Sequence, residues 1–170
     1  MRHNVPFYSQ FKDVEDSYWA PRSCSIVNLK MIIDFYNIKS PDLIDLIYLA
    51  NNRGFFGRSG WYHEGILKLG EELGLIIHRE EGVDFEKGLK KIKTHLDEGG
   101  LIIASITKKI LGNKRFHSIL ITGYEGDDMD LIYYHDPELL SGGNNKCFFV
   151  DKNTFENEWR KMAIFASKKA

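Results

Sequence analysis

Apolar residues along the chain fall first into helical spacing and then into short strand-like runs. After NVPFYSQFKD, whose brief alternation and Pro6 suit an extended segment, the run beginning at Cys24 is apolar on most faces through Tyr36. Ile26, Val27, Met31, Ile32, Ile33 and Phe35 mark it as a central, buried helix, with Ser23 as its expected N-cap. Ser40 and Pro41 read as cap and first-position proline of a second helix, DLIDLIYLA, which ends in the turn-rich NNRGFFGRSG. A third helix is expected from near Tyr62 to Gly74. A fourth shows apolar Phe85, Leu89, Ile92 and Leu96 at steps of four, three and four before a closing glycine pair.

Downstream the period changes. LIIASIT, HSILITGY, MDLIYYHD and CFFVD are β-rich runs between polar turns, followed by a short helix over NTFENEWRKM and a last strand, AIFAS. Helices first and strands afterwards predict an α+β fold, its N-terminal helical half packed against a C-terminal antiparallel sheet. The 170 residues, 43% hydrophobic, suffice for one sizeable core, and a single domain over 1–170 is expected. There is no internal repeat or low-complexity linker.

Charge narrows the function classes. The formal net charge is −1, from 23 basic and 24 acidic residues, so no electrostatic excess recruits nucleic acid or an anionic membrane. No apolar run approaches the roughly 20 residues of a membrane span, and the N-terminus lacks a signal-peptide core, which makes the cytoplasm the expected location. The two cysteines make no disulfide framework, so each is read as core or as chemistry. Cys147, in KCFFVD, has no partner pattern and is assigned to packing.

Cys24 is different, because a helix start concentrates unpaired N–H groups and positive dipole that favour thiolate. His117 opens a strand far downstream and supplies a base. If HSILITGY and LIYYHD pair about the turn centred between Gly126 and Asp127, His117 and Asp136 stand directly opposite on one face. Nucleophile, base and orienter are then available, the Cys24 N–H and the Gln10 amide being candidate oxyanion donors.

His135 should point to the other face, and Trp19 is read as walling the site or packing on the helix. His63-Glu64 begins like a zincin helix, but Leu67 stands where its second histidine belongs. His3, His78 and His95 show no ligand spacing, and LLSGG at 139–143 is read as a strand connection despite its double glycine.

VPFYSQ, YWAPRSCSIVNLKMIIDFY, GWYHEGILKLGEELGL, HSILITGY and YYHDP, in that order over residues 5 to 137, resemble the bacteriocin-processing, or double-glycine leader, peptidases and their stand-alone relatives. That family consists of papain-like cysteine peptidases. The resemblance implies a papain-like fold, with Cys24 as nucleophile, His117 as general base, Asp136 as third member and Gln10 as oxyanion residue. It implies a peptide or protein substrate and no metal or organic cofactor, with an exporter as a partner in trans, since this chain ends at Ala170 without a spanning segment. Ser25 stands where the family usually has glycine. Acyl transfer by the same acyl-cysteine chemistry, and a peptide-binding module without catalysis, are the alternative readings.

Overall fold

The computed structural model describes residues 1–110, 113–139 and 148–170; Cys147 and most of the LLSGG segment lie outside the described residues. The chain runs through a 3-10 turn (Ala20–Arg22), α1 (Cys24–Phe35), α2 (Leu43–Asn52), a hairpin of β1 (Phe56–Gly57) and β2 (Gly60–Trp61), and α3 (His63–Glu72). It continues through β3 (Leu75–Glu81), α4 (Phe85–Asp97), β4 (Leu101–Ile110), β5 (Asn113–Glu125), β6 (Leu131–His135), β7 (Phe148–Asp151), α5 (Lys152–Glu158) and β8 (Trp159–Lys168). Six strands form one antiparallel sheet in the order β3-β8-β4-β5-β6-β7.

Strand alternation divides the core in two. Leu101 and Ile103 of β4, Leu120 of β5 and Ile164 of β8 pack with α1, α2 and α3 on one face. Ile102, Ala104, Ile119 and Phe165, from the same strands, pack with α4 and α5 on the other. The helical half therefore meets the sheet as expected, except that α4 crosses to the far face. There its Gly88 lies so close to the Trp159 ring that a β-carbon would stand 2.4 Å from Cη2. Six apolar side chains of α1, from Ile26 to Ile33, are sealed from solvent, which explains its lack of a polar face.

Local chemistry moves several boundaries. Ser23 sits at the N-cap of α1, but its hydroxyl donates to Ala20 O at 3.3 Å instead of capping the helix. The second helix begins at Leu43 after Asp42, not at Pro41, because Ser40 Oγ is engaged by Lys30 Nζ at 3.0 Å. The C-terminal helix stops at Glu158, and Trp159–Met162 joins β8, where Trp159 and Met162 are buried. The N-terminal segment is extended: His3 N donates to Thr122 O at 2.9 Å and Tyr124 N to Met1 O at 2.9 Å. It runs beside the end of β5 beyond the reach of β4.

Candidate active site

Cys24 takes the first position of α1, directly after the 3-10 turn. That turn is clamped by aromatic packing: Trp19 is buried, lies 5.0 Å from Phe56 and 5.5 Å from Trp61, and Trp61 Nε1 donates to Arg22 O at 2.7 Å. The short β1–β2 hairpin thus braces the approach to the cysteine, a role invisible in the turn-rich sequence that encodes it. Cys24 is partly exposed and opens into a cleft of about 890 Å³.

Its sulfur is in hydrogen-bonding contact with His117 and with Ser118. His117 Nε2 donates to Asp136 Oδ1 at 2.6 Å, with both side chains buried. Cys24, His117 and Asp136 are therefore brought together by α1, β5 and the residue following β6.

The two strands achieve this in a different register from the expected one. Leu120 pairs with His135 and Ile121 with Tyr134, then a bulge shifts the pairing to Gly123 with Tyr133. The connection is a five-residue loop, 126–130, in which Gly126 and Met129 take left-handed φ of 82° and 56°. Relative to pairing centred between Gly126 and Asp127, the five-residue loop and the bulge together move the register at this end by two. His117 is accordingly diagonal to Asp136, and an even shift keeps both on one face. Position 138 now falls nearest His117, and Glu138 Oε1 lies 3.7 Å from His117 Nδ1.

Glu138 belongs to a charged network that sequence reasoning missed. Lys108 Nζ donates to Asp136 Oδ2 at 2.6 Å and to Glu138 Oε2 at 2.9 Å, and Arg115 pairs with Glu138. Asp136 Oδ1 also accepts from Glu138 N at 2.9 Å. His117, Asp136 and Glu138 can each direct one ligand atom to a common point, all within 4.8 Å of one another. The Lys108 ammonium already bonds both carboxylates and supplies the compensating positive charge there.

The electrostatics follow from these contacts. Burial alone pushes the Cys24 thiol up, but the hydrogen bond and charge of His117, with bonds from Ser118, more than offset it and hold the thiol below its ordinary value. Burial also works against an imidazolium at His117, yet the bond to Asp136 and the contact with Cys24 raise it to about 9. Asp136 is pushed up by burial, then lowered to about 2 by His117 and Lys108. Both shifts favour the thiolate–imidazolium pair over the neutral thiol and imidazole.

Gln10 is buried, with its Oε1 lacking a partner among the described residues. Its N–H donates to Pro137 O at 2.7 Å, which ties it to the segment just after Asp136. Ser25 is helical, and its Oγ lies 3.4 Å from Ser118 Oγ, which Asn28 Nδ2 also bonds at 3.1 Å. His135 lies away from the site: its Nε2 donates to Val5 O at 3.0 Å, and its ring packs against Phe7.

A family model described as "Peptidase_C39 like family" matches residues 2–166. The chain belongs to this family. No curated protein matches it in sequence. Among solved structures it is similar to a double glycine motif protease from an AMS/PCAT transporter, in complex with the leader peptide. That match has 18% identity and a TM-score of 0.60, covering 98% of this chain and 94% of that one. It is also similar to the peptidase domain of Streptococcus ComA, a bi-functional ABC transporter involved in a quorum sensing pathway, at 18% identity and TM-score 0.58 over 88% and 93% of the two chains. The peptidase domain of Streptococcus mutans ComA with a small-molecule inhibitor matches at 17% identity and TM-score 0.52, over 95% and 98%. The fold of this C39-like chain is thus that of leader-peptidase domains. None of its helices, among the described residues, is long and apolar enough to cross a membrane.

Proposed function

We propose that this C39-like chain is a cysteine peptidase in which Cys24, His117 and Asp136 act as a triad and Gln10 assists the oxyanion. The observation that carries the reading is His117 itself, in contact with the Cys24 sulfur and bonded through Nε2 to Asp136. With Nε2 committed to Asp136, Nδ1 is left to serve the sulfur.

The thiolate attacks the scissile carbonyl carbon, forming a C–S bond and placing negative charge on the carbonyl oxygen. The N–H of Cys24 at the helix start and the Gln10 side-chain Nε2 are the donors proposed for that oxygen; Gln10 is buried and its backbone N–H is held by Pro137 O, beside Asp136. Collapse breaks the C–N bond, and imidazolium Nδ1 gives its proton to the leaving amine. Water, deprotonated by the neutral imidazole, then releases the acid and restores the pair.

The relative solved with a leader peptide supports a peptide or protein substrate, and relatives that are parts of transporters support an exporter as partner, with the chain acting as one cytoplasmic domain. The test is turnover of peptides by the wild-type chain and by Cys24→Ala. Cleavage lost in the variant with the fold retained supports the reading, and unchanged cleavage overturns it.

A further inference from the structure

The cleft beside Cys24 carries a one-sided charge. Arg22, Arg53, Lys68, Arg79 and Arg160 line it against a single carboxylate, Glu64, in a chain whose overall charge is −1. Arg53 is paired with Glu72, and Arg79 lies 3.6 Å from Glu81. Arg22, Lys68 and Arg160 have no carboxylate at ion-pair distance among the described residues.

Arg160 is placed by an irregularity of the sheet. Ala104 pairs with Ala163 but Ile106 with Trp159, so four steps of β8 answer two of β4, and Lys161 takes a left-handed φ of 55°. At this break Arg160 Nη1 donates to Ser105 Oγ at 3.0 Å, and its guanidinium stacks 3.5 Å over the exposed Phe116 ring. These partners hold a planar fork in position without neutralising it. Nearby, Arg79 Nη1 donates to His63 Nδ1 at 2.9 Å, and burial first, then the charge of Arg79 with a smaller share from Arg160, holds His63 below its ordinary value.

The distance to the thiol is also set by the sheet. Ser105 is the cross-strand partner of Ser118, whose contacts reach the Cys24 sulfur. Strands lie about 4.8 Å apart, so the contacts through Ser105 and Ser118 put the Arg160 guanidinium within roughly 11 Å of the sulfur, a reach of up to about three residues of extended peptide.

We infer that Arg160 and Arg79 form a carboxylate-recognition subsite, and that the cleft selects an acidic peptide bearing Asp or Glu about two to three residues from the bond presented to Cys24. This rests on Cys24 as the reactive thiol of the peptidase proposed above and names the substrate class of that site.

The test uses two reagents that differ by one charge, iodoacetyl-Gly-Glu-amide and iodoacetyl-Gly-Gln-amide. In each, Cys24 forms a C–S bond and iodide leaves, so labelling needs no turnover. Mass spectrometry of proteolytic peptides, which separates Cys24 from Cys147, should show the Glu reagent labelling Cys24 roughly three- to fivefold faster at low salt, with the advantage shrinking as salt rises. Arg160→Gln and Arg79→Gln should each reduce that ratio towards one, and Arg160→Lys should keep part of it. Equal rates in the wild type, or a ratio unchanged in both glutamine variants, overturns the inference. If neither reagent labels Cys24 faster than a free thiol, the activated-thiol reading fails, while the Glu-to-Gln ratio still decides the subsite.

Discussion

Asp136 accepts from His117 Nε2 at 2.6 Å although the two residues are not strand partners. Asp136 lies just past the end of β6, and its carboxylate meets the imidazole diagonally across the edge of β5. The arrangement fixes which ring nitrogen remains for Cys24. Asp136→Asn should let His117 fall from about 9 towards its ordinary 6.5 and lower kcat/KM by about a hundredfold or more. A pH profile of kcat/KM checks this: its alkaline limb should move to lower pH in the variant.

The same pair makes stability depend on pH in a defined direction. Asp136 is lowered from 3.8 to about 2 on folding, so its contribution is complete above 3.8 and disappears as pH falls through about 2. The size is roughly 2 kcal/mol, at 1.36 kcal/mol per unit. His117 is raised, so its share is complete below 6.5 and is lost as pH rises through about 9. The two describe one coupled interaction and do not add. Urea midpoints for the wild type should fall between pH 4 and 2.5, and Asp136→Asn should flatten that fall.

Gln10→Ala should reduce kcat by about 10- to 1000-fold with KM little changed, as expected for a donor engaged only when charge develops on oxygen. Equal losses for Gln10→Ala and Gln10→Glu in thermal stability, with kcat preserved, would make its role structural.

Ser25 tests whether glycine after the nucleophile is needed. The Ser25 backbone is helical, and its hydroxyl reaches Ser118 only at 3.4 Å. Ser25→Gly should therefore leave kcat/KM within about threefold and lower stability by up to about 1 kcal/mol through helix propensity. A large gain in activity would show that the Ser25 side chain obstructs the site.

How much of this was legible beforehand depended on the range of the forces involved. The helices α3 and α4 follow from amphipathic spacing and a terminal glycine, and α1 from its continuous apolar run, because these signals act over a few residues. The meeting of Cys24 with His117 and Asp136 was also readable, since a two-residue period preserves the face even when register slips by two. The register itself was not, because it depends on a bulge at Thr122 and a loop of five residues. Lys108, Arg115 and Glu138 gave no signal either: they converge only once β4, β5 and the segment after β6 align. The basic cleft draws its arginines from positions as distant as 22 and 160, a juxtaposition no local pattern encodes.

In the proposed mechanism Cys24 rests as a thiolate beside a His117 imidazolium. The most direct measurement is the rate of Cys24 alkylation by iodoacetamide against pH, in the wild type and in His117→Gln. The wild type should react with a midpoint below the ordinary thiol value of 9.0, and the variant should return to about that value or above. A wild-type midpoint at 9.0 or higher, unmoved by the substitution, would rule out a resting thiolate held by His117.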